Sequence, residues 1–228
     1  MAVELCGLFN EPEQLTWQLA GAYREGPPSL SQQAARARLD GGGWWQAKPE
    51  NIFVRDDNAH LWHAVEALVD DGVDEVILDY ITNLQPWPSV DGTPLSSLDP
   101  IPHSDGSFFS DGSGYMQRII IAELDADAAL RATTLRIDMQ YSSPLVGGEP
   151  FTIVHPTQNE RMYRVGTAVQ GSDGIWTVTV RPTLREAAVA GTVLDFDRPR
   201  CRMTMQGGMA LPLSSPFMGK ASLQFIEA

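Results

Sequence analysis

From Trp176 to Arg181 the chain alternates apolar and polar residues one by one, with Trp176, Val178 and Val180 on one side and Thr177, Thr179 and Arg181 on the other. Successive side chains of a strand point to opposite faces, so this period of two calls for a half-buried antiparallel strand. Strand and turn signals continue through the whole stretch from Gly148 to Phe196. They include Pro150-Phe151-Thr152-Ile153-Val154, Arg161-Met162-Tyr163-Arg164-Val165 and Gly191-Thr192-Val193-Leu194-Asp195-Phe196. A compact all-β module is the expectation. The stretch holds no nucleophile motif, no metal-ligand spacing and no phosphate loop, which points to a scaffold or assembly part rather than a catalyst.

At 228 residues, with 43% apolar and 20% charged residues, the chain can form one large or two small globular domains. Its formal net charge of −13 argues against a nucleic-acid surface, because such affinity comes largely from Lys and Arg displacing counterions. No apolar run approaches the roughly 20 residues that span a bilayer. The first residues, Met1-Ala2-Val3-Glu4-Leu5-Cys6, lack the basic start and apolar stretch of a signal peptide. A soluble protein made in a cytoplasm is expected. Cys6 and Cys201 form neither a disulfide framework nor a zinc site, and two reduced thiols are expected.

Breaks along the chain suggest an N-terminal arm over 1–30, ending near Glu25-Gly26-Pro27-Pro28, and a first β domain over 31–140. Within that domain, Ser31–Leu39 and Trp44–Val54 flank Asp40-Gly41-Gly42-Gly43, which reads as the turn of a long hairpin, with Pro49 marking a bulge or an edge. Leu61, Trp62, Val65, Leu68 and Val69 recur at helical spacing, so a helix is expected over about 58–71, capped by Asp56 or Asp57 and stopped by Gly72. A strand at Glu75–Ile81 follows. Residues 82–114 are dense in Pro, Gly, Ser and Asp and read as a long loop that meets a neighbouring chain. Strands resume at Met116–Glu123 and Leu135–Gln140. An accessory β module occupies 141–200, and C-terminal strands over 201–228 return to the first domain.

Motifs with chemistry are sparse. His60 and His63 lie one helical turn apart without a third ligand at a recognisable spacing, and His103 and His155 stand alone. The Ser-Asp-Gly triplets at 104–106, 110–112 and 172–174 lack a calcium-loop register and read as turns. No Gly-x-Ser-x-Gly elbow or Walker loop occurs. Catalytic residues, metal sites and cofactors are therefore not expected. Trp44, Trp45, Trp62, Trp87 and Trp176 could stack sugars, so a carbohydrate-binding module that contacts host surface glycans is the rival reading. An enzyme with dispersed carboxylates is a third.

The order of several strings resembles the distal tail and tail-tip proteins of long, non-contractile-tailed bacteriophages and prophages of proteobacteria. The strings are Gly42-Gly43-Trp44-Trp45-Gln46-Ala47, Trp62-His63-Ala64-Val65-Glu66-Ala67-Leu68, His103-Ser104-Asp105-Gly106 and Phe109-Ser110-Asp111-Gly112. Arg181-Pro182-Thr183-Leu184-Arg185-Glu186-Ala187, Arg198-Pro199-Arg200-Cys201-Arg202-Met203 and Ser222-Leu223-Gln224-Phe225-Ile226-Glu227-Ala228 extend the likeness. The resemblance implies a mainly β fold: a tail-tube-like β-sandwich with a long hairpin and one principal helix, plus a second small β-barrel or β-sandwich. It further implies a virion protein at the tail tip, forming a typically sixfold ring between the tube protein and the hub or tip proteins, with no specific nucleic-acid binding and no membrane insertion. Expected ring contacts are Trp44, Trp45, Trp87, Phe108 and Phe109. Asp70, Asp71, Asp74 and Glu75 are candidates for an acidic lumen that repels DNA and lets it slide.

Overall fold

A computed structural model describes residues 3–4, 12–21, 23–28, 34–38, 42–55, 57–69, 74–80, 83–90, 93–94, 103–112, 120–209, 213–215 and 218–228. In chain order the elements are β1 (Val3–Glu4), β2 (Pro12–Ala20), β3 (Tyr23–Pro28), β4 (Ala34–Arg38), β5 (Trp44–Arg55), α1 (Asp57–Val69), β6 (Glu75–Asp79), β7 (Ser89–Val90) and β8 (Thr93–Pro94). There follow β9 (Ile121–Leu124), β10 (Thr134–Gln140), β11 (Pro150–His155), β12 (Asn159–Gln170), β13 (Trp176–Arg181), β14 (Leu194–Asp195), β15 (Arg200–Met205), β16 (Leu213–Ser215), β17 (Met218–Ala221) and β18 (Phe225–Glu227). Among the described residues the fold is mainly β with one helix, as the sequence predicts.

The first unit is an eight-stranded sheet in the order β1-β6-β15-β18-β5-β17-β16, with β2 also paired to β5. Alternation along β5 sends Trp45, Ala47, Ile52 and Val54 into one core, where Trp62, Val65 and Val69 of α1 meet them. Asn51 sits in the left-handed region at φ 54, where the inward set shifts from odd to even positions. Cys201 is buried in the same core, and burial pushes its thiol well above the usual range; Cys6 lies outside the described residues. The apolar stripe of α1 is only half used. Leu61 and Leu68 remain 42% and 48% exposed along one edge of the stripe.

A long hairpin is present, but its arms differ from the expectation. β5 pairs with β2, from Ala20↔Trp44 to Pro12↔Ile52, and β3 pairs with β4, from Tyr23↔Arg38 to Pro28↔Ala34. The two arms are thus β2 with β3 and β4 with β5, so residues 12–28 are not a separate arm. Gly42 and Gly43 do not form the turn. At Gly43 (φ +96) an added Cβ would fall inside the contact radius of the Ala20 carbonyl oxygen, so only glycine fits beside the paired strand.

The second unit is a six-stranded sheet in the order β14-β11-β12-β13-β10-β9. Its two ends meet: the Leu124 amide donates to the Thr192 carbonyl at 3.0 Å and the Gly191 amide to the Leu124 carbonyl at 2.7 Å, which nearly closes a barrel. Phe151, Ile153, Tyr163, Val165, Trp176, Val178 and Val180 fill it. The expected boundary at 140 is corrected, because β10 pairs with β13 and β9 pairs with β10. Both belong to the barrel. From β15 onward the chain adds strands to the first sheet.

Gly43→Ala is expected to cost about 3 kcal/mol, combining a left-handed backbone with steric overlap, against about 1 kcal/mol for Gly106→Ala, whose φ is similar but whose surroundings are open. Urea unfolding of the two variants measures the difference. Equal losses would contradict the close approach of β2.

Candidate functional site

The richest polar region lies where the units meet, and β12 creates it. Period two sends Tyr163 and Val165 into the barrel core and Met162 into the core of the first unit. Glu160 and Arg164 lie on the same face of the strand as Met162. Arg164 rests over the Trp45 ring at 4.8 Å and the Tyr80 ring at 5.6 Å, and donates to the Tyr80 hydroxyl at 2.8 Å. The Trp45 indole N–H donates to the Met162 carbonyl at 2.7 Å. Trp45 is therefore fully buried at the seam inside one subunit, and its expected role as a ring contact is corrected.

At the centre stands Glu227 of β18. Its Oε1 and Oε2 accept Nε and Nη2 of Arg185 at 2.9 and 3.0 Å, and Oε2 also accepts the Trp45 amide at 3.0 Å. Arg185 donates Nη2 to the Gly43 carbonyl at 2.6 Å, and its own amide donates to the Tyr163 hydroxyl at 3.0 Å. Arg161 approaches Glu227 to 3.9 Å and donates to the Ala228 carbonyl. A second clamp joins Arg202 of β15 to Glu75 at 2.7 Å and to Glu160 at 2.8 Å. A neutral one has Thr152 Oγ1 donating to the Arg200 carbonyl while accepting the Arg200 amide, both at 2.7 Å. Glu75 is thus tied to Arg202 at the seam, with its side chain 40% exposed. Asp74 is exposed, and Asp70 and Asp71 lie outside the described residues.

Beside the seam is a cleft of about 450 Å³ lined by Asp79, Tyr80, Asn83, Gln85, Pro86, Trp87, Asp197 and Arg198. Arg198 holds Asp79 Oδ2 at 2.6 Å. The backbone of Trp87 is fixed to the barrel: its amide donates to Ser143 Oγ at 3.1 Å and its carbonyl accepts the Ser143 amide at 2.8 Å. The residue as a whole is 57% exposed.

The remaining expected residues are dispersed. Trp44 lies on the outer face of β5 at 39% exposure. Phe108 and Phe109 are exposed in a turn segment, where the Phe109 ring meets His103 edge to face at 4.7 Å. His63 pairs with Glu66 at 2.7 Å on the helix surface. The Ser-Asp-Gly triplets form turns, with Asp105 Oδ1 accepting the Ser107 amide at 2.9 Å and Asp173 Oδ1 the Ile175 amide at 3.2 Å. Among the described residues, no three His, Cys, Asp or Glu side chains are grouped to hold a metal ion. The clamp residues Arg161, Arg185, Arg202 and Glu227 and the cleft residues Asp79 and Arg198 were not singled out from sequence. Their partners are remote: Trp45 and Glu227 are 182 residues apart.

His155, buried in the barrel, lies 2.8 Å from the Tyr163 hydroxyl through Nε2. Burial holds its pKa below the usual 6.5, and nearby Arg161 adds to this, although Glu186 pulls the other way. No family model matches the chain, and a search of curated proteins finds no match.

Glu227→Ala strands Arg185 and Arg161 at the seam and should cost about 3–5 kcal/mol in chemical denaturation. Arg136→Ala, which breaks equally short but exposed pairs to Asp125 and Asp173, should leave the midpoint near wild type. The folded state disfavours protonated His155, so its contribution to stability is complete above pH 6.5 and is lost as pH falls below that value. The urea midpoint should therefore drop between about pH 7.5 and about pH 5.5, and His155→Gln should flatten that slope.

Proposed function

We propose that the chain is a structural subunit that closes with copies of itself into a ring, working as a distal tail adaptor that joins a phage tail tube to the tail tip and lets DNA pass. The observation that carries this reading is a pair of apolar surfaces on opposite sides of the first unit. Leu61 and Leu68 lie half exposed along one flank of α1. Trp44 and Phe53, 39% and 41% exposed, alternate with the inward residues of β5 and so lie on the far face of the sheet. Half-exposed apolar side chains on both sides of the unit offer contact area for association. Two different surfaces on one subunit suit a head-to-tail contact, which generates a ring when the rotation closes.

The rest of the architecture supports the same reading. A long hairpin, one helix and a fused small barrel follow the plan that the family resemblance implies. The converging ionisable groups at the seam are spent on fixing one unit to the other, which suits a part under mechanical load. The net charge of −13 gives a lumen that repels phosphate. In this reading the neighbours are the tube protein on one side and hub or tip proteins on the other, and Phe108 and Phe109 add contact area between subunits.

Native mass spectrometry and electron microscopy of the concentrated protein test the ring. The wild type should give one closed oligomer, typically sixfold for such adaptors. The double variant Leu61→Glu with Leu68→Glu should stay monomeric with an unchanged melting temperature, since both side chains are half exposed. Wild-type protein that remains monomeric, with α1 unprotected in hydrogen exchange at every concentration, would reject self-assembly.

A further inference from the structure

The cleft beside the seam has the size of a small-molecule site, for which about 300–1,000 Å³ is usual. Its walls come from three segments: Asp79 and Tyr80 at the end of β6, the strap over 83–88, and Asp197 and Arg198 ahead of β15. The strap is held in place. Besides the two Trp87 bonds to Ser143, the Ser89 amide donates to the Tyr141 carbonyl at 3.0 Å, and Pro88 bridges to Ser142. A large aromatic ring is thus presented half in solvent at a fixed position, although burying it would stabilise the fold.

The polar groups that line the cleft with Trp87 are mixed. Asn83 and Gln85 each offer an amide donor and an amide acceptor, and Arg198 adds a guanidinium anchored on Asp79. Asp79 Oδ1 is buried and meets no donor, because Arg198 occupies Oδ2 alone. The terminal torsion of an aspartate is soft and roughly twofold, so a small rotation turns that unmet acceptor toward the cleft.

A platform with an apolar face and a ring of donors and acceptors matches a molecule that has an apolar face and a rim of hydroxyls. We infer that the cleft binds one or two pyranose rings of a saccharide, with the C–H face of one sugar on Trp87 and its hydroxyls on Asn83, Gln85 and Asp79. Phosphorylated ligands fit poorly, since two carboxylates line the cleft and its one guanidinium is committed to Asp79. Cationic ligands meet Arg198 on the same wall. The inference goes beyond the ring assignment and does not depend on it, because all the lining residues belong to one chain.

Saturation-transfer difference NMR on the full-length protein tests it, with D-galactose, N-acetyl-D-glucosamine and chitotriose as probes and tetramethylammonium as the cationic control. At millimolar concentration at least one sugar should receive saturation on its ring C–H protons. Trp87→Ala should weaken that binding about tenfold while melting like the wild type, because the ring is largely exposed. Gln85→Ala should weaken it as well. A stronger response from chitotriose than from the single sugars supports the cleft with a glycan chain as the source of the ligand. An equal response supports it with a free sugar. Silence from all three sugars, transfer unchanged by Trp87→Ala, or a response from tetramethylammonium alone would overturn the assignment.

Discussion

Glu227 is a carboxylate almost shut off from water, at the centre of the seam between the two units. Removing a charge from water costs several kcal/mol, and the cost is offset only where geometry supplies partners on all sides. Here it does: a two-pronged guanidinium, a backbone amide and a second arginine converge on one side chain. An apolar seam could stabilise as much, but it would tolerate sliding. Directional bonds from Arg185 to Glu227 and Gly43 admit one relative orientation.

The same interactions decide which functional readings have support. A cluster containing three arginines, a tyrosine, a histidine and a buried glutamate has the composition of an active site. Its geometry is that of a fastener. Glu227 faces Arg185 rather than open space, and the Tyr163 hydroxyl, its ionisation suppressed by burial, lies between His155 and the Arg185 amide. The open cleft lies apart from this cluster, around Trp87, where Asp79 Oδ1 is buried without a donor.

What the sequence revealed followed local periodicity, and what it hid was set by long-range pairing. The Trp176–Arg181 alternation appears in the structure residue by residue, with Trp176, Val178 and Val180 buried. The α1 stripe was legible as a stripe, but whether both of its edges would be covered depended on the placement of β5. Gly42 and Gly43 read as a turn because glycine has two uses, and only the position of β2 shows that close approach is the one at work. Adjacent Trp44 and Trp45 were treated alike, although a period of two requires them to face opposite sides. Glu227 near the end of an extended segment carried no signal, since its partners Trp45 and Arg185 are 182 and 42 residues away.

β12 is a party wall, and this limits how the chain can diverge. Near Met162 and Tyr163, one side chain serves each room in turn, so a substitution disturbs one core at a time. A one-residue insertion there would exchange the occupants of both rooms at once, driving Glu160 and Arg164 toward the barrel interior while Tyr163 left it. Length changes among relatives should therefore gather in the strap and the hairpin tip, while this strand keeps its count.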